Sequence, residues 1–169
     1  QQINPIYLNL TQSSAELLKL RQKMQNAMLK GISPILTPEL LKILAEMGHG
    51  DELVIGDCNF PAQSMGRRCV RCDGHRGTEL LDAILALFPL DQFVEAPVTV
   101  MAPAPGAMDG NPPIWAEFAE IVEKHQPGTK SAAIDRFAFY DRAKNAYATV
   151  ATGENALYAC IIIKKGCII

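Results

Sequence analysis

The sequence has neither an excess of charge of one sign nor a long apolar run. Its 169 residues carry 16 Lys and Arg against 18 Asp and Glu, a net charge of −2. Nucleic-acid-binding domains are usually strongly basic, so this balance argues against a nucleic-acid partner. No apolar stretch approaches the roughly 18 residues that a membrane-spanning helix needs, and we expect no membrane segment. The first residues lack the positive segment and apolar core of a secretory signal, so we expect a cytoplasmic protein.

Motifs that bind phosphate groups or activate a serine are missing as well. No G-x-G-x-x-G opens a helix after a predicted strand, and no G-x-x-x-x-G-K-[ST] occurs. The G-x-S-x-G motif of serine hydrolases is also absent. The absence of these motifs therefore argues against a nucleotide-dependent enzyme and against a serine hydrolase.

The cysteines favour a reducing compartment. The chain has 5 of them, an odd number in a sequence of full domain length, which is not typical of a disulfide scaffold. Cys69 and Cys72 form a C-x-x-C motif, which is half of a zinc site, a redox pair or two unpaired thiols. A structural zinc ion needs about four ligands, and no second pair follows at ligand spacing. Two unpaired thiols are favoured; a redox or zinc protein predicts bound metal or a low thiol pKa at Cys69.

The hydrophobic pattern predicts helices that alternate with short strands. Thr37 is a predicted N-cap with Pro38 at the first helical position, and Gly48 ends that helix. The continuous run Leu53-Val54-Ile55 predicts a strand covered on both faces. Further strands are predicted at residues 70–73, 97–101, 146–151 and 157–164, and further helices at residues 78–88, 115–123 and 139–145. This alternation predicts a single α/β domain with three layers, in which helices surround a largely buried sheet.

Candidate functional residues flank the predicted strand at residues 53–55. A single histidine before a strand is usually a loop residue, but the glycines on both sides of His49 allow a ligand to approach closely. Histidine also exchanges protons near neutral pH, so His49 is a candidate acid/base group. Asp57 lies at the carboxyl end of the strand, where ligands bind open α/β sheets. Arg71 and Asp73 either pair across a turn or contact a ligand.

Seven segments of the chain carry a longer pattern. They are residues 29–34, 38–41, 47–52, 57–62, 71–74, 136–143 and 152–154. In this order they closely resemble the L-fucose mutarotase and ribose pyranase family, and the later segments match its fucose branch. The resemblance covers residues 28–169, and we expect residues 1–27 to be an extension with a loose arm and a helix. It implies a small α/β subunit in a ring-like homo-oligomer, usually a decamer, without metal or organic cofactor.

The resemblance also implies an activity and residue roles. Family members interconvert the anomers of a free sugar, so the expected substrate is L-fucose or a related aldose such as ribose or galactose. By position, His49 matches the family's proton donor, while Asp57 and Arg136 match its sugar-binding residues. Independently of the resemblance, Phe137, Phe139 and Tyr140 belong either to the core, which is favoured, or to a platform on which a sugar stacks.

The third binding segment departs from the family pattern. Family members usually have Tyr-Gly-Asn there, whereas this chain has Tyr158, Ala159 and Cys160. A thiol donates and accepts hydrogen bonds more weakly than an amide. We therefore expect sugar binding to be weaker by roughly ten- to a hundredfold, or the preferred sugar to differ. The alternative function is a non-catalytic monosaccharide-binding or assembly protein of the same fold.

The spacing of His49 and Asp57 raises a geometric question. Along a straight strand the two residues would lie roughly 20 Å apart, too far to touch one small sugar. Either the chain curls back or a neighbouring subunit supplies part of the site. The ring assembly implied by the resemblance favours sites near subunit interfaces.

Overall fold

A computed structural model gives the fold of residues 29–168. The helix expected within residues 1–27 lies outside the residues that the structure describes. Every helix and strand named below belongs to one compact unit that begins at residue 37. The predicted boundary after residue 27 stays a prediction.

Six strands and five helices alternate along residues 29–168. The helices are α1 (Pro38–Glu46), α2 (Ala62–Met65), α3 (Gly77–Leu85), α4 (Ile114–His125) and α5 (Arg136–Asn145). The strands are β1 (Glu52–Gly56), β2 (Cys69–Cys72), β3 (Val98–Met101), β4 (Ser131–Ile134), β5 (Ala148–Thr152) and β6 (Ile161–Lys164). They form one sheet in the order β2-β5-β1-β6-β3-β4, in which β6 runs antiparallel to the others. The predicted α/β class is confirmed.

The centre of the sheet is buried on both faces. Leu53, Val54 and Ile55 of β1 are all fully buried, as their continuous apolar run predicts. Val54 shares a hydrophobic cluster with Ile162 of β6 and Phe139 of α5, so α5 covers one face. Because side chains alternate along a strand, Leu53 and Ile55 point to the other face, and α3 packs on β1 and on α4. The sheet with helices on its two faces gives the predicted three layers.

Helix α1 begins and ends close to the predicted positions. Thr37 Oγ1 accepts a hydrogen bond of 3.2 Å from the Leu40 N–H, and Pro38 occupies the first helical position. At the other end the Met47 N–H donates to the Ile43 carbonyl. None of the helices described within residues 29–168 is long and apolar enough to cross a bilayer.

Two strand predictions were wrong in detail. Strand β4 was not predicted, because its residues Ser-Ala-Ala-Ile have little β propensity and are largely exposed; pairing with β3 holds it in place. The strand expected at residues 157–164 begins only at Ile161. Tyr158 has φ +58°, in the left-handed region, and a strand cannot pass through that conformation.

Candidate functional site

The fold brings polar residues from three parts of the chain to one edge of the sheet. Strands β1 to β5 end at this edge, and β6 begins there because it runs the opposite way. Asp57 follows β1, Arg136 follows β4, and Cys160 precedes β6. Residues 103 positions apart in sequence therefore come within hydrogen-bond distance.

A small cavity lies at this edge and contains most of the predicted site. Its volume is about 190 Å³, and its walls include Asp57, Arg136, Tyr158 and Cys160. Ala159 is fully buried and lines no part of it. The walls are completed by Asn59, Phe60, Met101, Tyr140 and Leu157. Drug-sized ligands usually occupy pockets of roughly 300 Å³ or more, so this cavity suits a smaller molecule.

Two hydrogen bonds hold the Asp57 carboxylate in the cavity wall. Oδ1 accepts from the Asn59 N–H at 2.9 Å, and Oδ2 accepts from the Cys160 thiol at 3.4 Å. The turn after β1 depends on Gly56, because a Cβ there would lie 2.6 Å from the Phe60 ring. The result is a nearly buried carboxylate with its direction fixed and lone pairs left to accept from a ligand.

Helix α5 directs Arg136 and Tyr140 towards the cavity. Asp135 caps the helix by accepting from the Phe137 and Ala138 N–H groups at 2.9 and 3.1 Å. The helix therefore begins at Arg136, earlier than predicted. The Arg136 guanidinium lies 5.0 Å from the centroid of the Phe137 ring, a cation–π contact.

The aromatic residues of α5 divide between core and cavity. Phe139 is fully buried in the hydrophobic core, whereas Phe137 is exposed. Tyr140 is half-buried, lines the cavity and packs edge-on against Phe60 with ring centroids 5.7 Å apart. Of the two predicted alternatives, the core location is correct for Phe139. Among these three aromatic residues, only Tyr140 lines the cavity that a ligand can enter.

The loop between β5 and β6 presents Tyr158 and is anchored by a buried carboxylate. Glu154 Oε2 accepts from Arg76 Nε at 3.1 Å, and its Oε1 accepts from the Ala156 N–H at 3.1 Å. Tyr158 keeps its left-handed conformation, and its hydroxyl accepts from the Ala104 N–H at 3.4 Å. Such a costly conformation in a residue other than glycine persists only where surrounding contacts hold it, often at functional sites.

His49 lies at the opposite end of β1, outside this cavity. Its side chain is 49% exposed, and Nε2 lies 3.2 Å from Oδ1 of Asp91. Gly50 has φ +86°, which the turn requires and which glycine adopts without strain. The exposed ring of Phe93 packs edge-on against the imidazole, with centroids 5.7 Å apart.

Asp91 is the functional candidate that the sequence did not reveal. It is 42 positions from His49, and no local pattern connects the two residues. Burial raises the pKa of Asp91, but hydrogen bonds from the Phe93 N–H and the His49 imidazole outweigh it and hold the pKa below its ordinary value. Since an ionised carboxylate can only accept, this contact favours the tautomer in which Nε2 carries the proton and Nδ1 presents a lone pair.

The straight course of β1 answers part of the geometric question. Residues 52–56 are extended and separate His49 from Asp57, so the chain does not curl back to join them. The separation along the strand remains on the order of 20 Å. Within one chain, the imidazole and the cavity therefore belong to different ends of the sheet.

Two larger clefts contain less of the predicted chemistry. One of about 670 Å³, between α4 and strands β3 and β4, has mainly apolar walls. The other, of about 400 Å³, shares Asp57 and contains Arg71 and Asp73. The last two side chains form an ion pair through bonds of 2.9 and 2.7 Å, as one predicted alternative states.

The C-x-x-C thiols have the opposite character to a redox pair. Burial raises the pKa of Cys69 and of Cys72 above the ordinary thiol value. Reactive cysteines in C-x-x-C motifs have a lowered thiol pKa instead. Among residues 29–168, no three His, Cys, Asp or Glu side chains are grouped as a metal site.

Comparison with known proteins identifies the family. The sequence profile of the RbsD / FucU transport protein family matches residues 30–168. The chain belongs to this family. It is 52% identical over 141 residues to the L-fucose mutarotase of Actinobacillus pleuropneumoniae serotype 5b (strain L20), covering 82% of this chain and 96% of that protein.

Solved structures of family members have the same fold. FucU from Bifidobacterium longum is 49% identical, with a TM-score of 0.79 over 83% of this chain and 100% of that one. The fucose mutarotase of Streptococcus pneumoniae, solved in complex with L-fucose, is 46% identical, with a TM-score of 0.78 over 83% of this chain and 100% of that one. The family resemblance predicted from the seven sequence segments is confirmed.

Proposed function

We propose that this protein is a sugar mutarotase that interconverts the α and β anomers of L-fucose. The observation that carries the proposal is the similarity over nearly the whole length of an L-fucose mutarotase and of a fucose mutarotase with L-fucose bound. The small cavity at the edge of the sheet supports it independently, since its size suits a monosaccharide. Ribose and galactose are further candidate substrates.

The cavity offers complementary groups for a sugar. Asp57 accepts hydrogen bonds from ring hydroxyls, and the Arg136 guanidinium donates in a fixed fork. Tyr158 and Tyr140 add hydroxyl groups that both donate and accept. Met101 provides an apolar wall suited to the C–H groups of a sugar ring or to a methyl substituent.

Proton transfer is assigned to His49. Mutarotation removes a proton from the anomeric hydroxyl and places one on the ring oxygen, so the bond between the anomeric carbon and the ring oxygen breaks and an open-chain aldehyde forms. After rotation of the aldehyde group, the reverse proton transfers close the ring on the other face. With Nε2–H held by ionised Asp91, Nδ1 takes the first proton and donates one to the ring oxygen. One acid/base group serves both directions, and no covalent intermediate is needed.

We further propose that each complete site forms between two copies of the chain. The cavity and His49 lie at opposite ends of β1, so a neighbouring subunit must supply the imidazole. Both ends carry large exposed apolar side chains: Phe93 beside His49, and Leu157 at the cavity. Contact between two different surfaces of identical subunits closes into a ring when the rotation allows, which supports a ring-like homo-oligomer such as the decamer.

The remaining proposals concern the setting of the protein. Free cysteines at all five positions support a cytoplasmic location, because cytosolic thiols stay reduced. The family match begins at residue 30, which supports residues 1–27 as an extension to a domain at residues 28–169.

The proposed activity is tested by saturation-transfer NMR on the anomeric protons of L-fucose, with and without catalytic amounts of the protein. Faster exchange with L-fucose than with ribose, galactose or glucose is expected. A folded oligomer that binds L-fucose without accelerating exchange would instead establish the alternative, a non-catalytic sugar-binding protein. The absence of a proton-transferring imidazole from the cavity of one chain is the observation that favours this alternative.

A further inference from the structure

The Cys160 thiol lies in the cavity wall, where it donates a hydrogen bond to another protein group and not to the open space. The residue is 2% exposed, and its sulfur is 3.4 Å from Asp57 Oδ2. Phe60, Met101 and Ile162 belong to the same buried hydrophobic cluster as Cys160.

The Cys160 thiol has little hydrogen-bonding capacity left for a sugar hydroxyl. A thiol has one proton to donate, and its sulfur is a weak acceptor. Burial and the charge of Asp57 raise the pKa of Cys160 well above its ordinary value, so the group stays protonated at neutral pH. Its proton is therefore always present, and it is directed at the Asp57 carboxylate.

We propose that Cys160 is a positioning residue, whose thiol orients the Asp57 carboxylate and does not itself bind the sugar. Asn59 fixes one carboxylate oxygen and Cys160 fixes the other. The carboxylate is thereby held in one orientation in the cavity wall, with its remaining lone pairs left for a ligand. The proposal rests on the proposed function only in assuming that Asp57 binds the sugar. It replaces the expectation that residue 160 contacts a sugar hydroxyl.

The test separates action through Asp57 from direct contact with sugar. Cys160→Ala is expected to raise the dissociation constant and KM for L-fucose by about two- to tenfold, as for one lost hydrogen bond, with a smaller change in kcat. In an Asp57→Ala background the same substitution should change binding by less than about twofold, because the acceptor of the thiol hydrogen bond is gone. Cys160→Ser keeps a donor and should restore most of the affinity.

The control is Cys72→Ala, which removes another buried thiol from β2, away from the cavity. It should leave the dissociation constant unchanged, which excludes a general effect of a buried void. Equal losses from Cys160→Ala in both backgrounds would overturn the proposal and assign the sulfur to the sugar.

A second measurement needs no sugar. The infrared S–H stretching band of a thiol falls in frequency when the thiol donates a hydrogen bond, and Cys160→Ala assigns the Cys160 band by difference. Asp57→Ala removes the acceptor and should raise the frequency of this band, whereas the band of Cys72 should not move. A Cys160 band at the same frequency in both proteins would overturn the proposal even if Asp57→Ala binds sugar too weakly to measure. Absence of fucose exchange by the wild-type protein would count against the proposed function and leave this spectrum interpretable.

Discussion

Single side chains divide the proposed chemistry between binding and proton transfer. In the proposed mechanism, Asp57 and Arg136 bind the sugar at the cavity, whereas His49 transfers the proton. Asp91 does not line the cavity, and its proposed contribution is to select the imidazole tautomer. Substitutions at these positions should therefore affect different kinetic constants.

His49→Gln should lower kcat for fucose anomer exchange by about 10²- to 10⁴-fold, because it removes the general acid/base. The dissociation constant for L-fucose should change little, since the binding groups remain. Exchange NMR measures the first quantity and calorimetry the second. His75→Gln is the matched control, a partly exposed histidine paired with Glu79 on α3. Turnover of His49→Gln near the wild-type rate would remove His49 from this role.

Asp91→Asn should lower kcat by roughly ten- to a hundredfold, the size of effect seen when a histidine loses the group that orients it. The loss should be smaller than for His49→Gln, because the imidazole stays in place. Measuring kcat for both variants at one pH checks the order. If Asp91→Asn costs nothing, the contact at 3.2 Å does not orient the catalytic tautomer.

Secondary-structure elements were predicted well where local signals are strong. The Thr37 cap and the apolar run at residues 53–55 place α1 and β1 correctly, because side-chain capping and burial are local properties. Strand β4 forms because it pairs with β3, and strand β6 begins later than predicted because Tyr158 is left-handed. Both features depend on contacts with residues distant in the sequence. The cavity follows from sheet topology, and the Asp91 contact follows from a loop fold, so neither can be derived from spacing alone.

The loop that carries Tyr158 requires a glycine at position 153. A Cβ on Gly153 would collide with the carbonyl oxygen of Asp73, a backbone atom that cannot easily move. Gly153→Ala should therefore destabilise the fold by about 1–3 kcal/mol, as overpacking does. Gly74→Ala is the control, since nothing lies within 4 Å of its added Cβ. Thermal unfolding of both variants measures the difference; equal melting temperatures would contradict the collision.

Helices α3 and α4 are joined by an acid-sensitive contact. Asp82 Oδ1 lies 2.7 Å from both Lys124 Nζ and His125 Nε2. Burial raises the pKa of Asp82, but hydrogen bonds from Lys124 and His125 outweigh it and lower the pKa below its ordinary value. The lower folded-state pKa means that this contribution to stability is complete above the unfolded-state value of about 3.9. It is lost as pH falls through the folded-state pKa.

Asp82→Asn should therefore flatten the acid part of the stability profile. Urea unfolding between about pH 5 and pH 2 should show a smaller fall in the free energy of unfolding for the variant than for the wild type. Asp141→Asn, which removes an exposed carboxylate paired with Lys144, should leave the slope unchanged. Parallel profiles for wild type and Asp82→Asn would show that the contact contributes nothing.

In the proposed assembly, function requires more than one copy of the chain. One chain provides the cavity at one end of β1 and the His49–Asp91 pair at the other. We propose that a head-to-tail contact between identical chains brings the two halves together and repeats around a ring. Activity should therefore depend on association of the subunits, and an isolated subunit should retain only weak sugar binding.

The most direct test of a site shared between two chains mixes two inactive variants, His49→Gln and Asp57→Asn. The two are co-expressed with different tags, and oligomers that carry both tags are assayed for fucose exchange. If each site takes its imidazole and its cavity from different chains, random mixing rebuilds about one quarter of the sites with both groups intact. Activity near that fraction of the wild-type value, far above either parent, is expected. Activity no higher than the sum of the parents would contradict it and place the whole site within one chain.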